Sequence, residues 1–329
     1  MTNYDVIFSL GKKVLEGNEL TFDEAMALTA IAESDIPILL GVANKVREKF
    51  TGSYVDTCQI LNARSGGCSE DCKFCAQSAH HAVKVDVYPL MKEAEIIKAA
   101  QKAEADRAYR FCIVTSGCGM TGDRDFDKIT AAIKSIGRET SLQRCCSLGT
   151  LQEEHVAALK EAGITRYHHN LETSESYFTE ICTTHTYQER VNTIKRVKRA
   201  GLEVCSGGII GMGETWRQRI ELAFTLQELD VDSIPVNVLN PVKGTALENQ
   251  EKLNPLEILQ TFAIFRLILP TKIIRYAGGR EHNLGELVPL GFLSGVNGML
   301  IGNYLTTAGR GAGKDLQTVT DLGFKLFSN

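Results

Sequence analysis

From residue 59 onward the chain repeats one pattern, a short apolar run followed by a longer stretch of helical period, and this alternation restricts its fold more than any other feature. The runs fall at Gln59–Ala63, Arg110–Thr115, Leu142–Leu148, Arg166–Leu171, Glu203–Ile210, Ser233–Leu239, Lys272–Tyr276 and Gly298–Gly302. Helix-period segments lie between them, such as Ala94–Ala105, Glu153–Ala162, Gln188–Ala200, Glu214–Leu229 and Leu256–Leu269. Two of these run into Ala-Gly, at Ala162-Gly163 and Ala200-Gly201, a helix stop because glycine accepts the left-handed conformation after the last turn.

Eight β-then-α units over roughly 250 residues are what a (β/α)8 barrel requires, and the right-handed crossover between parallel strands makes closure natural. The expected class is therefore α/β, a TIM barrel complete or nearly so, with a doubly wound open sheet as the alternative. Two amphipathic helices, Thr21–Ala32 and Pro37–Lys49, come first. The expected layout is a helical extension over residues 1–50, the barrel over 51–310 and a segment closing it over 311–329. No shift to linker-like composition divides the chain. In such a barrel chemistry belongs at the C-terminal ends of the strands and in the loops after them.

Charge and composition narrow the function. The formal net charge of −4 provides no basic field for nucleic acid or an anionic membrane. The run Lys195, Arg196, Lys198, Arg199 reads as a solvated helix face. No segment approaches the roughly 18 apolar residues of a membrane span, and the N-terminus has neither a signal-like nor an anchor-like stretch. The expectation is a cytosolic protein. Ten cysteines in 329 residues are too sparse for a disulfide scaffold, yet more than packing usually needs.

The first strand candidate runs into Arg64-Ser65-Gly66-Gly67-Cys68-Ser69-Glu70-Asp71-Cys72-Lys73-Phe74-Cys75, a Cys-x3-Cys-x2-Cys loop at the barrel end where chemistry is expected. Three thiolates this close can wrap one metal centre. Zinc would need a fourth ligand, for which His80 and His81 are the nearest candidates. A [4Fe–4S] cluster ordinarily takes four thiolates, so three leave one iron open for a substrate. Two glycine-rich stretches fail as nucleotide sites. Gly207-Gly208-Ile209-Ile210-Gly211 has Trp216 where a dinucleotide fold needs its third glycine, and Gly309–Lys314 is followed by Asp315 instead of the P-loop Ser or Thr.

Cys68, Cys72 and Cys75, with Phe74 as the aromatic, resemble the signature of the radical S-adenosylmethionine superfamily. Gly207-x-Ile209-x-Gly211-x-x-Glu214 resembles the superfamily pattern that packs beside the adenine. The resemblance implies a cluster whose open iron holds S-adenosylmethionine and whose electron cleaves it to a 5′-deoxyadenosyl radical. Longer segments resemble the biotin synthase family: Tyr167–Ser174, Thr186–Arg190, Val204–Gly208, Lys243–Thr245, Gly279–Glu281 and Leu305–Thr307. That resemblance implies a sulfurtransferase that inserts sulfur into dethiobiotin with two S-adenosylmethionine per turnover. It also implies an auxiliary cluster, [2Fe–2S] in the family, held by Cys112, Cys145, Cys205 and Arg275 and donating the sulfur. Residue by residue, it places Arg190 on the S-adenosylmethionine carboxylate and Glu172 on the ribose. Asn170 stands beside both the cofactor and the substrate, Asn237 with it on the ureido ring, and Thr306 and Thr307 near the dethiobiotin carboxylate. A flavodoxin- or ferredoxin-type electron donor, iron–sulfur assembly proteins and a homodimer are further implied.

The chain departs from the family pattern in two ways. Glu172 stands where many members have Asp, which retains the acceptor. Cys146 follows Cys145 where one cysteine is usual. It either packs behind the strand or, through a bulge, turns inward as an extra ligand that would allow a larger cluster. Cys118 and Cys182 lie in loops near the mouth. The competing readings are a sister enzyme of the hydrogenase-cofactor maturase or methylornithine synthase type, and a non-catalytic iron–sulfur carrier.

Overall fold

A computed structural model describes residues 2–119 and 123–327; Met1, residues 120–122 and the last two residues of the expected C-terminal segment lie outside the described residues. Among the described residues ten strands form one parallel sheet: β1 (Tyr54–Arg64), β2 (Arg110–Thr115), β3 (Gln143–Ser147), β4 (Arg166–His168), β5 (Glu203–Cys205), β6 (Gly208–Ile210), β7 (Ser233–Val238), β8 (Ile273–Tyr276), β9 (Gly298–Leu300) and β10 (Lys325–Leu326). β9 pairs back onto β1, Asp56 opposite Gly298, and closes a barrel. β5 and β6 both pair with β7 and form one interrupted stave, and β10 only borders β1 from outside, so eight staves remain. The expected (β/α)8 barrel is thus present.

The stave expected as one run over Glu203–Ile210 breaks at Ser206-Gly207 for a steric reason. A Cβ on Gly207 would lie 2.0 Å from the Pro235 carbonyl oxygen, and one on Gly208 would lie 2.5 Å from that of Glu172. Here the backbone is pressed between its neighbours, and the Gly207 carbonyl accepts from the amides of Leu171 and Glu172 instead of continuing the ladder.

Hydrophobic burial sits mainly in the annulus between staves and helices. The helix Pro255–Ile268 is buried at every position from Ile258 to Ile268 because it is covered on both sides, by the barrel and by the extension helix Ile36–Thr51. The extension contains one helix more than its periodicity suggests, Asn3–Leu15, which buries Ile7, Leu10 and Val14. Gly11 lets it approach: a Cβ there would lie 2.3 Å from Val42 Cγ1. No single helix among the described residues is long and apolar enough to cross a membrane.

Candidate active site

Two cavities occupy the barrel and its C-terminal mouth. The larger, about 360 Å³, reaches into the lumen; the smaller, about 180 Å³, lies under the cysteine loop. Phe74, Val114, Ser147, His168, Asn170 and Glu172 line both, so the two share a wall.

Cys68, Cys72 and Cys75 all line the smaller cavity. The loop is tied by its own backbone: Cys68 donates to Gln77, Ala79 to Cys68 and Cys75 to Cys72. Burial pushes the Cys75 thiol up to about 11, so binding of a metal centre there must release a proton. His80 and His81 do not complete a zinc site with these thiols. Their Nε2 atoms sit 2.9 Å from the Ser69 carbonyl oxygen and 3.0 Å from that of Cys72. Three convergent thiols without a fourth from those imidazoles fit a cluster with one open iron.

The same cavity is lined by Asn170, Glu172 and Arg190. Glu172 holds φ +71°, a left-handed conformation that is uncommon for a side-chain-bearing residue. Its carbonyl accepts from the Ile209 amide at 2.8 Å, and its carboxylate accepts from Asn170 Nδ2 at 3.2 Å. Arg190 lies 3.7 Å from the Glu172 carboxylate and donates to the Asn170 carbonyl at 2.9 Å. In the glycine-isoleucine motif, Ile209 lines the larger cavity, whereas Glu214 turns away and accepts from the Gly211 and Met212 amides at 2.7 Å each. Gly207 and Gly211 therefore act through backbone shape.

The floor of the larger cavity is rich in sulfur. Cys58, Cys112, Cys145 and Cys205 line it together with Arg110, Arg166, His168 and Arg275. Strand register explains the convergence: Ile60 pairs with Cys112, Cys112 with Cys145 and His168 with Cys205, and register neighbours in a parallel sheet point the same way. Two of these thiols are acidified. Burial pushes Cys205 up, but His168, Arg275 and Arg166 together hold it at about 6. Burial pushes the Cys145 thiol up as well, but its bond with Cys112 together with the charges of Arg110 and His168 lowers it, while burial raises Cys58 to about 12.

Of the two alternatives for Cys146, the structure takes packing behind the strand. β3 keeps an unbroken register with β2, so no bulge turns Cys146 inward. It pairs with Ile113 and Tyr167, and all three are buried in the outer hydrophobic layer. Cys58 is the fourth lumen thiol instead. Its place follows from the start of the first strand, which is at Tyr54, five residues before the Gln59 expected from the sequence; the β-branched Val55 and Thr57 upstream were the available signal. Arg275 does reach the cavity, but its guanidinium is already engaged, with Asp56 Oδ1 at 2.7 Å and the carbonyls of Asp56 and Met299.

Asn237, Thr306 and Thr307 line the larger cavity. Asn237 also braces the barrel mouth, donating to the Gly208 carbonyl at 3.3 Å and accepting from the Gly278 amide at 2.8 Å. Cys118 lines the smaller cavity, and Cys182 is buried with its sulfur 3.7 Å from that of Cys72.

A barrel whose mouth carries a three-thiol loop defines a radical S-adenosylmethionine enzyme, and the model of the Radical SAM superfamily matches residues 63–226. The Biotin and Thiamin Synthesis associated domain matches residues 235–325. The chain is 54% identical to a biotin synthase of Carboxydothermus hydrogenoformans over 98% of this chain and 100% of that one. It is 55% identical to one of Clostridium acetobutylicum over 96% and 97%. The chain belongs to the biotin synthase family. Among solved structures, a methylornithine synthase superposes with a TM-score of 0.84 at 20% identity, covering 97% of each chain. An FeFe-hydrogenase maturase from Carboxydothermus hydrogenoformans gives 0.82 at 18% identity, covering 97% of this chain and 79% of that one. Both show the shared fold.

Proposed function

We propose that this chain forms biotin by inserting sulfur into dethiobiotin, with the smaller cavity holding S-adenosylmethionine on a cluster and the larger one holding dethiobiotin above an auxiliary cluster. When bound, a [4Fe–4S] cluster on Cys68, Cys72 and Cys75 supplies the electron that cleaves S-adenosylmethionine to methionine and a 5′-deoxyadenosyl radical. An auxiliary iron–sulfur cluster on the lumen thiols supplies the sulfur. The single observation that carries this reading is the shared wall, which sets a three-thiol mouth and a four-thiol floor in adjoining cavities.

This chain's residues divide the work. Arg190 presents a guanidinium to the carboxylate of S-adenosylmethionine, for which its planar fork is suited. Glu172 accepts from the ribose hydroxyls, its position set by the left-handed backbone and by Asn170. Asn170 and Asn237 face the ureido ring, and Thr306 and Thr307 the carboxylate end. The apolar lining from Phe74, Ile209, Val238 and Leu239 keeps water away from a radical that would otherwise be quenched. Cys58, Cys112, Cys145 and Cys205 hold the auxiliary cluster, and four thiolates suit a centre larger than [2Fe–2S]. Arg275 remains with Asp56 as a neighbouring positive charge. Reduction by a flavodoxin- or ferredoxin-type donor, loading by iron–sulfur assembly proteins and a homodimeric state accompany this reading.

A single-turnover assay with reconstituted protein, dethiobiotin, S-adenosylmethionine and a reductant tests it. The expected products are biotin, methionine and 5′-deoxyadenosine. Cleavage without biotin would overturn the sulfur-insertion reading, and no cleavage would overturn the radical one.

A further inference from the structure

The loop Cys68–Cys75 does not stand alone; the turn at residues 182–185 clasps it. Asp71 accepts from the Thr183 amide at 2.9 Å, and the Thr184 hydroxyl donates to Glu70 at 2.6 Å. Within this clasp one chain of contacts leads out of the loop and into the cofactor cavity. Glu70 Oε2 lies 2.5 Å from His185 Nδ1, and Arg190 Nε lies 3.0 Å from His185 Nε2. The side chains are mostly buried, at 12% exposure for Glu70, 6% for His185 and 11% for Arg190.

The protonation pattern of this chain follows from its ends. Arginine offers only N–H donors, so His185 Nε2 must supply the lone pair. A neutral imidazole then carries its proton on Nδ1, where it donates to the Glu70 carboxylate. Both ring nitrogens are thereby committed. The donor atoms of His185, Cys182 and Cys72 lie within 4.8 Å of one another, but His185 has no lone pair left for a metal ion without breaking its bond to Arg190. On the other side, Arg190 uses Nε for His185 and Nη1 for the Asn170 carbonyl, and among the described residues Nη2 has no hydrogen-bond partner. The guanidinium is held on one edge and turned to the cavity it lines. Phe178 and His185 pack in a T-shaped arrangement, with centroids 5.6 Å apart, which limits rotation of the imidazole.

We propose that Glu70 and His185 are positioning residues for Arg190, a relay through which the cysteine loop sets the guanidinium that receives the carboxylate of S-adenosylmethionine. This rests on the role of Arg190 proposed above. Glu70 lies between Cys68 and Cys72, so a loop ordered by its cluster places Glu70, Glu70 selects the His185 tautomer, and His185 fixes Arg190. Affinity for S-adenosylmethionine then depends on the loop through a route separate from the open iron.

The test uses cluster-loaded full-length protein titrated with S-adenosylmethionine and read by the change in the spectrum of the reduced cluster, with iron content and the KM for dethiobiotin measured alongside. His185→Ala should weaken S-adenosylmethionine binding about tenfold, the lower end of what removing a residue that orients a ligand costs, with iron content and the dethiobiotin KM unchanged. His185→Gln, whose amide can both accept from Arg190 and donate to Glu70, should restore most of the affinity. Glu70→Ala combined with His185→Ala should bind no more weakly than His185→Ala alone, because both changes remove one relay. Unchanged affinity in His185→Ala, or losses that multiply in the double variant, would overturn the proposal. Loss of iron in both His185→Ala and His185→Gln would also overturn it, since the clasp would then only build the loop. Arg190→Ala separates the two readings: if it binds S-adenosylmethionine normally, the role of Arg190 itself is wrong.

Discussion

Asp56 is the group on which the floor of the barrel depends, and replacing it with asparagine gives a loss of stability that can be worked out in advance. Its carboxylate lies 2.7 Å from Arg275 Nη2 and 3.5 Å from Arg166 Nη1, and all three side chains are at most 3% exposed. Glu203 also pairs with Arg166 and Arg110, at 2.9 and 3.3 Å, but it is 47% exposed and well screened. Asp56→Asn keeps the shape and removes the buried negative charge, leaving Arg275 facing an amide. Breaking a buried pair by removing one partner costs about 3–5 kcal/mol. At roughly 2.1 cal/mol/K per residue, a chain of 329 residues has an unfolding entropy of roughly 0.7 kcal/mol/K, so a loss of about 4 kcal/mol lowers Tm by about 6 °C. Arg275→Met should cost less, because Asp56 would still face Arg166. The pH dependence has a definite sign. Burial alone would push Asp56 up, but Arg275, Arg166 and Arg110 hold its carboxyl below the ordinary range. A depressed folded value means that this contribution is present above the unfolded pKa of about 3.9 and is lost as pH falls below it. Thermal unfolding of wild type and Asp56→Asn should therefore differ fully at pH 7, and the gap should narrow below about pH 4. A Tm change under about 2 °C at pH 7, or a gap that does not narrow in acid, would refute the reasoning.

Other outcomes follow from the same geometry. Cys58→Ala should lower auxiliary iron and sulfide while leaving cleavage of S-adenosylmethionine intact, whereas Cys146→Ala should retain both clusters; metal analysis with Mössbauer spectra of reconstituted protein distinguishes them. Cys72→Ala should abolish cleavage of S-adenosylmethionine and Cys205→Ala should leave some of it, measured as 5′-deoxyadenosine; equal loss in both would contradict the division into two sites. Gly208→Ala would place a Cβ 2.5 Å from the Glu172 carbonyl oxygen, and this overpacking should cost about 1–3 kcal/mol and weaken binding of S-adenosylmethionine, read by thermal unfolding and by equilibrium titration.

The barrel was legible because its signal is local and repeated. Each stave is a short apolar run and each crossover a helix with its own periodicity, so an error at one boundary leaves the order intact. The stave over Glu203–Ile210 shows where this stops: its break is imposed by Pro235 and Glu172, which come from other staves and leave no mark on the run itself. The cysteine loop was legible for a similar reason, since three thiols fall within eight residues and no tertiary information is needed to bring them together. The Glu70–His185–Arg190 chain had no such signal. Its members are 115 residues apart at the first contact, and it exists only because the turn after the helix Glu175–Ile181 folds against the cysteine loop.

The lumen site lies between these extremes, and parity decides it. In a parallel barrel, residues at the same register on adjacent staves face the same way, and the facing alternates along each stave. Once Cys112 and Cys145 are placed opposite each other, Cys146 must face outward whatever its chemistry, because it is one step further along an unbroken strand. The same rule works backward on β1. Ile60 opposite Cys112 makes the even-numbered positions of that stave inward, and Cys58 is two steps earlier. The fourth thiol thus hinged on where β1 begins, and a start at Tyr54 instead of Gln59 moves Cys58 from loop to lumen. Strand ends are set by pairing partners, here Asp56 with Gly298 and Tyr54 with Lys325, which come from the far end of the chain. A single residue of uncertainty at a strand end is therefore enough to exchange one candidate ligand for another, even when the fold is already certain.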